Sequence, residues 1–452
     1  MFTTMNYQKN PLSYLFPISN IVFYNTFRTW NRFLKDSEQW NQKKINLYQK
    51  QQLKILLKQA YQFVPYYKKQ FDKQNIKPED IKDLSDIHIL PYLTKKNIRS
   101  HLNELKSTNH PNIAFQKTKT GGTTGTPLVF YIEKARWLGK HFAFNRNYMQ
   151  HAGYHPTDKV ISIMGNKTPI KHHPFLRTIE FSSLCLSNHD LKNYAEKINS
   201  YQPKFIATFP SALTILTQHL SEKNKPFPRL QGIFCHGETL FDWQRRFFEE
   251  TYNCRVYDQY GHREQCVFAT TCNKSNLYHA YPQYGIVEIL DENGKIVTES
   301  GKTGEIVATS IHNFIFPFIR YKTGDLARVT KEICSCERKY PLIKNIMGRK
   351  QDFLFTINND MIPLTGLYHL IVESTRHVKE CQLYQDTEGE LLISIVTTDT
   401  FSKKDEDILK NQVNKKIGDL FTITFRIVDT IPRTSAGKHR YLIQKIPIKK
   451  ER

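Results

Sequence analysis

Residues 117–127 read Lys-Thr-Lys-Thr-Gly-Gly-Thr-Thr-Gly-Thr-Pro, a loop crowded with hydroxyls, glycines and positive charge. Glycines let backbone N–H groups approach an anion closely, threonine hydroxyls add donors, and lysines supply charge, so this composition suits a phosphate group. Far downstream, Pro432-Arg433-Thr434-Ser435-Ala436-Gly437-Lys438 presents a lysine on a glycine-bearing turn near the chain end. A lysine is a mobile point charge on a long stem, suited to an anion held elsewhere. Taken together, loop and lysine point to chemistry at phosphorus.

These residues need a scaffold. Leu53, Leu56, Leu57, Ala60 and Phe63 recur at helical spacing until Val64-Pro65 stops the run, which predicts a helical region over about residues 1–110. Beyond the Gly/Thr loop, short apolar runs at 160–164, 205–209, 232–235 and 255–257 alternate with amphipathic stretches, the pattern of α/β layering. From Tyr284 the chain turns β-rich, with strands expected at 286–290 and 295–297 around Asp291-Glu292-Asn293-Gly294 as a hairpin, then at 305–309 and 318–321. Strands at 353–357, 391–397 and 422–428 around helix-like segments predict a smaller closing unit. The expected fold class is α/β. Residues 1–349 form a large layered α/β N-terminal domain with a β-rich section, and residues 350–452 a small mobile α+β C-terminal domain that carries Lys438.

Six short motifs occur in order. Thr120 to Pro127 is followed by Phe234-Cys235-His236-Gly237-Glu238-Thr239-Leu240 and Asp258-Gln259-Tyr260-Gly261-His262-Arg263-Glu264. Next come Tyr321-Lys322-Thr323-Gly324-Asp325, Gly348-Arg349 with Asp352, and the segment ending at Lys438. The set resembles the adenylate-forming acyl ligase superfamily, in its phenylacetate-CoA ligase and CapK-like branch, over nearly the whole chain. Order is what makes it specific, because each motif alone has a plain structural reading as turn, core aromatic or surface carboxylate.

The resemblance implies an enzyme, an AMP-forming carboxylate ligase that uses ATP and Mg²⁺ to make acyl-AMP, releases pyrophosphate, and passes the acyl group on, with coenzyme A as the expected acceptor. It implies that Thr120, Gly121, Gly122, Thr123, Thr124 and Gly125 cradle phosphate. Glu264, helped by Thr124, would hold Mg²⁺. Gly237, Glu238, Asp258, Gln259 and Tyr260 would border the adenine, Asp325 would accept from the ribose hydroxyls, Arg349 would reach ribose or phosphate, and Lys438 would approach the α-phosphate. Catalytic roles thus fall to Lys438, Glu264 and Thr124. The types make sense, since joining a carboxylate to a phosphate brings two anions together and requires donors and cations around the phosphorus. The acid pocket is expected from residues 137–164 and 208–213. CapK-like relatives imply a link to surface polysaccharide, so AMP or acyl transfer to a sugar or amine is a second reading. A non-catalytic, basic, zinc-stabilised binding module is a third.

Cys272, His279, Cys334 and Cys336 supply three thiolates and one imidazole, the ligand set of a closed structural Zn²⁺ site, with Cys266 as a spare for Cys272. His172-His173-Pro174 does not suggest a metal, because adjacent histidines on a loop point apart. Two departures stand out. Gln351 occupies a position that is often an acidic hinge, with the acid kept only at Asp352. Gly301-Lys302-Thr303 is read as a turn, since the glycine a Walker loop needs upstream falls at Ile296.

With 452 residues and 39% hydrophobic content, the chain can build a large core. Its +23 charge points to an anionic partner, but the lysines are spread without a block, which argues against a nucleic-acid arm. The partners expected are a small-molecule carboxylic acid and no nucleic acid, with peripheral membrane contact and oligomerisation left open. No spanning helix or secretory signal is read, and eight cysteines in so long a chain fit a reducing compartment. The expected location is cytoplasmic, at the inner face of the membrane if the charge serves a membrane. Near the N-terminus, Phe16-Pro17-Ile18 and Ile21-Val22-Phe23 are expected to pack on the main body, with docking on a partner as the alternative.

Overall fold

A computed structural model describes residues 18–120, 127–223, 225–349, 353–358, 361–363, 371, 375, 377–434 and 436–446. The chain divides into two compact units. One comprises Met1–Thr120, Pro127–Tyr154 and Gln259–Ile346, and the other Gly121–Thr126, His155–Asp258 and Met347–Arg452.

In the first unit, the predicted helical region is a series of helices. Helix Gln42–Phe63 starts at Asn41, whose side chain accepts from the Lys44 N–H, and it buries Ile45, Leu53, Leu56, Leu57 and Ala60. As expected, the run stops at Val64-Pro65, with Val64 as the C-cap, and the same pair also starts a further helix. Proline lacks an N–H and fits the first turn of a helix, so Pro65 opens the next one, Pro65–Lys73. Helix Ile18–Ser37 lies against helix Lys134–Gln150 at Gly139, where an added Cβ would be 2.8 Å from the Phe23 carbonyl and the Thr26 Cβ. Phe23 meets Phe142 edge-on at 5.8 Å and Trp30 meets Phe144 at 5.3 Å, so this part of the N-terminal segment packs on the body. Phe16 and Pro17 lie outside the described residues.

The β-rich section of this unit runs in the order Ile286–Leu290, Thr303–Thr309, Tyr321–Val329, Leu342–Arg349, Tyr278–Ala280, Phe268–Thr270. Two sequence expectations are corrected. Residues 295–297 do not form a strand, since only an isolated bridge joins Leu290 to Ile296, and Ile286–Leu290 pairs with Thr303–Thr309 in antiparallel register. The Asp291–Gly294 turn does form, with Gly294 at φ +79°. The strand expected at 318–321 starts at Tyr321 and continues to Val329, because Arg320, at φ +45°, bends the chain before it.

Arg320 is fully buried. Its guanidinium donates to Glu288 at 2.8 and 3.1 Å, to the His88 and Leu90 carbonyls, and lies 4.3 Å from the Tyr92 ring centroid. This fork fixes the start of the strand that carries Tyr321 and Asp325. Arg320→Leu leaves the Glu288 carboxylate buried without its cation and should cost about 3–5 kcal/mol, read as a lowered denaturant midpoint. An unchanged midpoint would show that the pair contributes nothing net.

The second unit begins with parallel strands. Thr178–Ser182, Val160–Met164, Phe205–Thr208 and Gly232–His236 are adjacent in that order, with Ile170–His173 antiparallel on the outer edge. Their apolar residues, among them Ile161, Ile163, Ile179, Phe181, Ile206 and Ile233, are buried among helices Asn188–Tyr201, Pro210–Glu222 and Asp242–Tyr252. The tail of the chain adds a four-stranded sheet in the order Thr422–Ile427, Glu390–Thr397, Val378–Gln385, Leu442–Gln444. Helix Lys403–Ile417 covers it, capped by Ser402 with Asp405. Its core of Val378, Leu383, Leu391, Ile393, Leu409 and Val413 continues onto Phe241 and Trp243.

Candidate active site

In open α/β sheets, ligands bind beyond the carboxyl ends of the parallel strands. In the second unit those ends are Met164, Ser182, Thr208 and His236. Gly165, Ser183, Phe209 and Gly237 follow them immediately, and the loop bearing Lys438 lies against these four. Ser183 Oγ donates to the Gly437 carbonyl at 2.8 Å. Gly165 faces Ala436 so closely that a Cβ would collide with the Ala436 carbonyl. Gly437 needs φ +76°, a conformation other residues rarely adopt. Gly237, at φ +79°, is the floor on which Lys438 rests, for a Cβ there would be 3.3 Å from Lys438 Cε. Lys438 Nζ stands 5.9 Å from the Phe209 ring centroid and is half-buried.

Glu238 ties this arrangement together. Its carboxylate accepts from the Ser211 N–H and Oγ, each at 3.1 Å, and from the His439 N–H at 2.5 Å. Arg433 bridges the Ser211 hydroxyl at 2.7 Å and Glu380 at 3.0 Å, and His439 sits between Glu380 and the Cys381 carbonyl. The residue next to the lysine is therefore hydrogen-bonded to the Gly237-Glu238 segment. The sequence places Glu238 and Lys438 in one site and Ser211 in the segment expected to line the acid pocket, but it assigns no role to Glu380, Arg433 or His439. Of these, Arg433 lies within the lysine's motif and His439 directly follows it, which was the available signal.

In the first unit, the Gln259–Gly261 end of the strand Arg255–Gly261 delivers Tyr260, whose hydroxyl donates to Asp325 Oδ2 at 2.7 Å. Asp325 lies within a strand, beside Gly324 at φ +80°, and is half-buried. Glu264 is buried. Tyr321 donates to its Oε1 at 2.9 Å and His262 Nδ1 lies 3.2 Å from Oε2. Burial alone would raise its pKa. The charge and hydrogen bond of His262, a backbone N–H and the Tyr321 hydroxyl override that and hold it down at about 2. Each oxygen keeps a lone pair beyond these contacts, and the group is ionised at neutral pH. Thr120 exchanges hydrogen bonds with Leu128, its N–H donating to the Leu128 carbonyl and its Oγ accepting from the Leu128 N–H, both at 2.9 Å.

Asp258 is buried in the second unit, and Gln259, half-buried, begins the next segment of the first. Arg349 ends the strand Leu342–Arg349, with only its backbone described. Gly121, Gly122, Thr123, Thr124 and Gly125 lie outside the described residues, as do Gln351 and Asp352.

The predicted cysteine and histidine set comes together. Cys272 Sγ and Cys334 Sγ are 3.5 Å apart, Cys336 Sγ is 3.1 Å from His279 Nε2, and the four ligand atoms all lie within 4.8 Å of one another. Sulfurs sharing a tetrahedral zinc stand roughly 3.8 Å apart, so the donor set and its spacing fit Zn²⁺. The Lys274 N–H points at Cys272 Sγ at 3.3 Å, a donor suited to a thiolate. Cys266 is not in the cluster. It faces the Glu264 carbonyl at 3.6 Å.

Lys140 lies in the segment expected to line the acid pocket, though nothing in the sequence singled it out. It is 5% exposed, its Nζ is 3.8 Å from the Tyr284 ring centroid, and its acceptor, the Tyr284 carbonyl, is 3.4 Å away. Burial lowers its pKa to about 7, against a small opposing effect from Cys266. Below that pH both folded and unfolded chains carry the proton, and the cost of burying it is complete. Between about 7 and the ordinary lysine value, the folded chain gives up a proton that the unfolded chain keeps, so stability climbs with pH. Lys140→Met should therefore exceed the parent by roughly 2 kcal/mol or more at about pH 6 and lose that advantage toward pH 10. Denaturation across pH reads this directly, and equal pH slopes for both proteins would refute it.

Residues 49–314 match the AMP-binding enzyme family and residues 354–445 match the CapK C-terminal domain. The chain is 26% identical to Protein CapK of Staphylococcus aureus over 84% of this chain and 85% of that one. It is 22% identical to the phenylacetate-coenzyme A ligase of Thermus thermophilus, over 88% and 96%. The fold is similar to that of a 2-hydroxyisobutyryl-CoA ligase in the postadenylation state, with TM-score 0.73 and 19% identity over 90% of this chain and 91% of that one. The match over more than half the chain and the six ordered motifs lead to one assignment: the chain belongs to the AMP-binding enzyme family as an AMP-forming, adenylate-forming ligase of the branch that holds CapK and the phenylacetate-CoA ligases.

Proposed function

We propose that this ligase condenses a small carboxylic acid with ATP to give acyl-AMP and pyrophosphate, and then transfers the acyl group to coenzyme A. The observation that carries this reading is the seating of Lys438 on Gly237, with its neighbour His439 donating to Glu238. That arrangement holds a half-buried ammonium beyond the carboxyl ends of the parallel strands, where charge gathers as the carboxylate oxygen attacks the α-phosphorus. Thr120 and the Gly121 to Gly125 loop supply donors to the phosphates, and Asp325 accepts from the ribose hydroxyls once the Tyr260 hydroxyl gives up one oxygen. Gly237, Glu238, Asp258, Gln259 and Tyr260 border the adenine, and Arg349 reaches the ribose or a phosphate. Glu264, with Thr124, holds Mg²⁺; its ionised state and spare lone pairs support this.

The acid enters beside residues 137–164 and 208–213, whose aromatic content admits an aryl acid. Cys272, His279, Cys334 and Cys336 hold a structural zinc, all four ligands being protein, so that no position is left for substrate. The acyl group is destined for surface polysaccharide, an idea resting on the CapK resemblance alone. No helix among the described residues is long and apolar enough to cross a membrane, and the protein is proposed to work in the cytoplasm.

ATP–pyrophosphate exchange across a panel of carboxylic acids tests the reading. Exchange that depends on one acid supports it, and none with any acid refutes it. Mass spectrometry of the products then separates transfer to coenzyme A from transfer to a sugar or amine, the second reading kept from the sequence.

A further inference from the structure

In the second unit, the edge strand Ile170–His173 and its partner Thr178–Ser182 form a β-hairpin with register His173 to Thr178. Its tip is Pro174-Phe175-Leu176-Arg177, with Arg177 in the left-handed conformation at φ 48°. Phe175 is 100% exposed and Leu176 56% exposed. Two adjacent large apolar side chains at the end of a hairpin are costly in water and normally find cover.

The surroundings are basic in a regular way. The residue just before each of three adjacent parallel strands is a cation: Lys159 before Val160–Met164, Arg177 before Thr178–Ser182 and Lys204 before Phe205–Thr208. Lys159 Nζ and the Tyr201 hydroxyl hold this edge together, donating to the Tyr201 and Arg177 carbonyls at 3.0 and 2.7 Å. Lys171 and His172, on the hairpin itself, are exposed. Two acids stand among them. Asp158 pairs with Lys204 at 2.9 Å, and Glu180 contacts Asn166 at 2.7 Å and His173 at 3.5 Å. The positive excess faces outward from the amino ends of the parallel strands, away from the carboxyl ends that Lys438 serves.

We propose that this hairpin tip docks the protein on an anionic lipid bilayer, with Phe175 and Leu176 entering the headgroup boundary and Lys159, Lys171, Arg177 and Lys204 facing the lipid phosphates. An apolar wedge inside a ring of cations matches the two terms that hold peripheral proteins on membranes, apolar burial and attraction to negative headgroups. The chain's +23 charge adds to the second. A second copy of the chain is a poorer occupant, because a two-fold pairing of edge strands would crowd the Lys171 and His172 of both copies together. The proposal does not depend on which acid is activated or on the acceptor.

The experiment is co-sedimentation of the full chain with vesicles of phosphatidylcholine alone and of phosphatidylcholine with phosphatidylglycerol. Binding is expected to the second kind only and to weaken with salt. The double variant Phe175→Ser, Leu176→Ser should bind at least about tenfold less, and Lys171→Glu with Arg177→Glu should reduce binding further than neutral replacement. Both Phe175 and Leu176 are outside the core, so the double variant should keep the parent's melting temperature and exchange activity. As an independent readout, a Phe175→Trp protein should shift its emission to the blue with anionic vesicles. Three results would overturn the proposal: equal binding to neutral vesicles, equal binding by the serine double variant, or a double variant that turns a dimer into a monomer while vesicle binding persists.

Discussion

Lys438→Ala should slow acid-dependent ATP–pyrophosphate exchange by about two orders of magnitude or more, with the KM for ATP changing far less. The reason is differential binding. Negative charge builds on the oxygens around the α-phosphorus as the acid attacks, and a cation in reach of that position is worth more in the transition state than before it. Lys438 is placed for such a role by the backbone geometry of its loop. Gly165, Gly237 and Gly437 allow the close approach of the loop, and Glu238 receives the neighbouring His439 N–H. Lys438→Arg should rescue poorly, because a planar fork does not fit the narrow space above Gly237, where even a Cβ would lie 3.3 Å from Lys438 Cε. Supplied with preformed acyl adenylate, Lys438→Ala should still transfer the acyl group within about threefold of the parent rate, since that step breaks the bond already made to AMP. Exchange at the parent rate would remove Lys438 from the mechanism. Equal losses in both half-reactions would instead point to a damaged fold.

The second large effect concerns the metal. Purified protein should carry about one zinc per chain, and replacing Cys334 with serine should abolish stoichiometric binding and lower the melting temperature by about 10 °C or more. The four ligands come from three places: Cys272 after the strand Phe268–Thr270, His279 within Tyr278–Ala280, and Cys334 with Cys336 before Leu342–Arg349. Binding one ion to four groups so far apart in sequence stabilises the folded state by mass action and constrains the strands that flank the loop. Because all four positions are protein, activity per folded molecule should fall much less than stability. Zinc below about one-tenth of an equivalent in protein prepared without chelator, with a parent-like melting temperature, would refute the site. A Cys266→Ser protein is the control. Cys266 lies outside the cluster, and its loss should leave zinc content unchanged.

Much of this was legible in the residues themselves. Three of the four parallel strands of the second unit announce themselves as mainly apolar runs at 160–164, 205–209 and 232–235, because a strand buried on both faces has little polar side to show, whereas Thr178–Ser182, which carries Glu180, gave no such signal. The grouping of Cys272, His279, Cys334 and Cys336 was legible because three thiols and an imidazole make a ligand set that few ions share, and the structure brings the four together. Other elements were misread for physical reasons. Residues 295–297 alternate as a strand should, yet the next segment, Thr303–Thr309, offers a longer antiparallel partner to Ile286–Leu290 and takes its place. The start of the strand expected at 318–321 was displaced to Tyr321 by Arg320, whose bend is held by contacts to Glu288, His88 and Leu90 that no local pattern encodes.

By itself, then, the chain's order of residue types determined the fold class, the family and the inventory of groups capable of acting on phosphate or binding a metal, because these depend on local periodicity and on side-chain chemistry. Only the folded structure decided which groups meet. It set Glu238 beneath the lysine loop, gave Tyr260 to Asp325, surrounded Glu264 with Tyr321 and His262, buried Lys140 among aromatic rings, and left Phe175 in water. Such pairings join residues up to 201 positions apart, as with Glu238 and His439, and they follow from packing across the fold, which neighbouring residues in sequence do not determine.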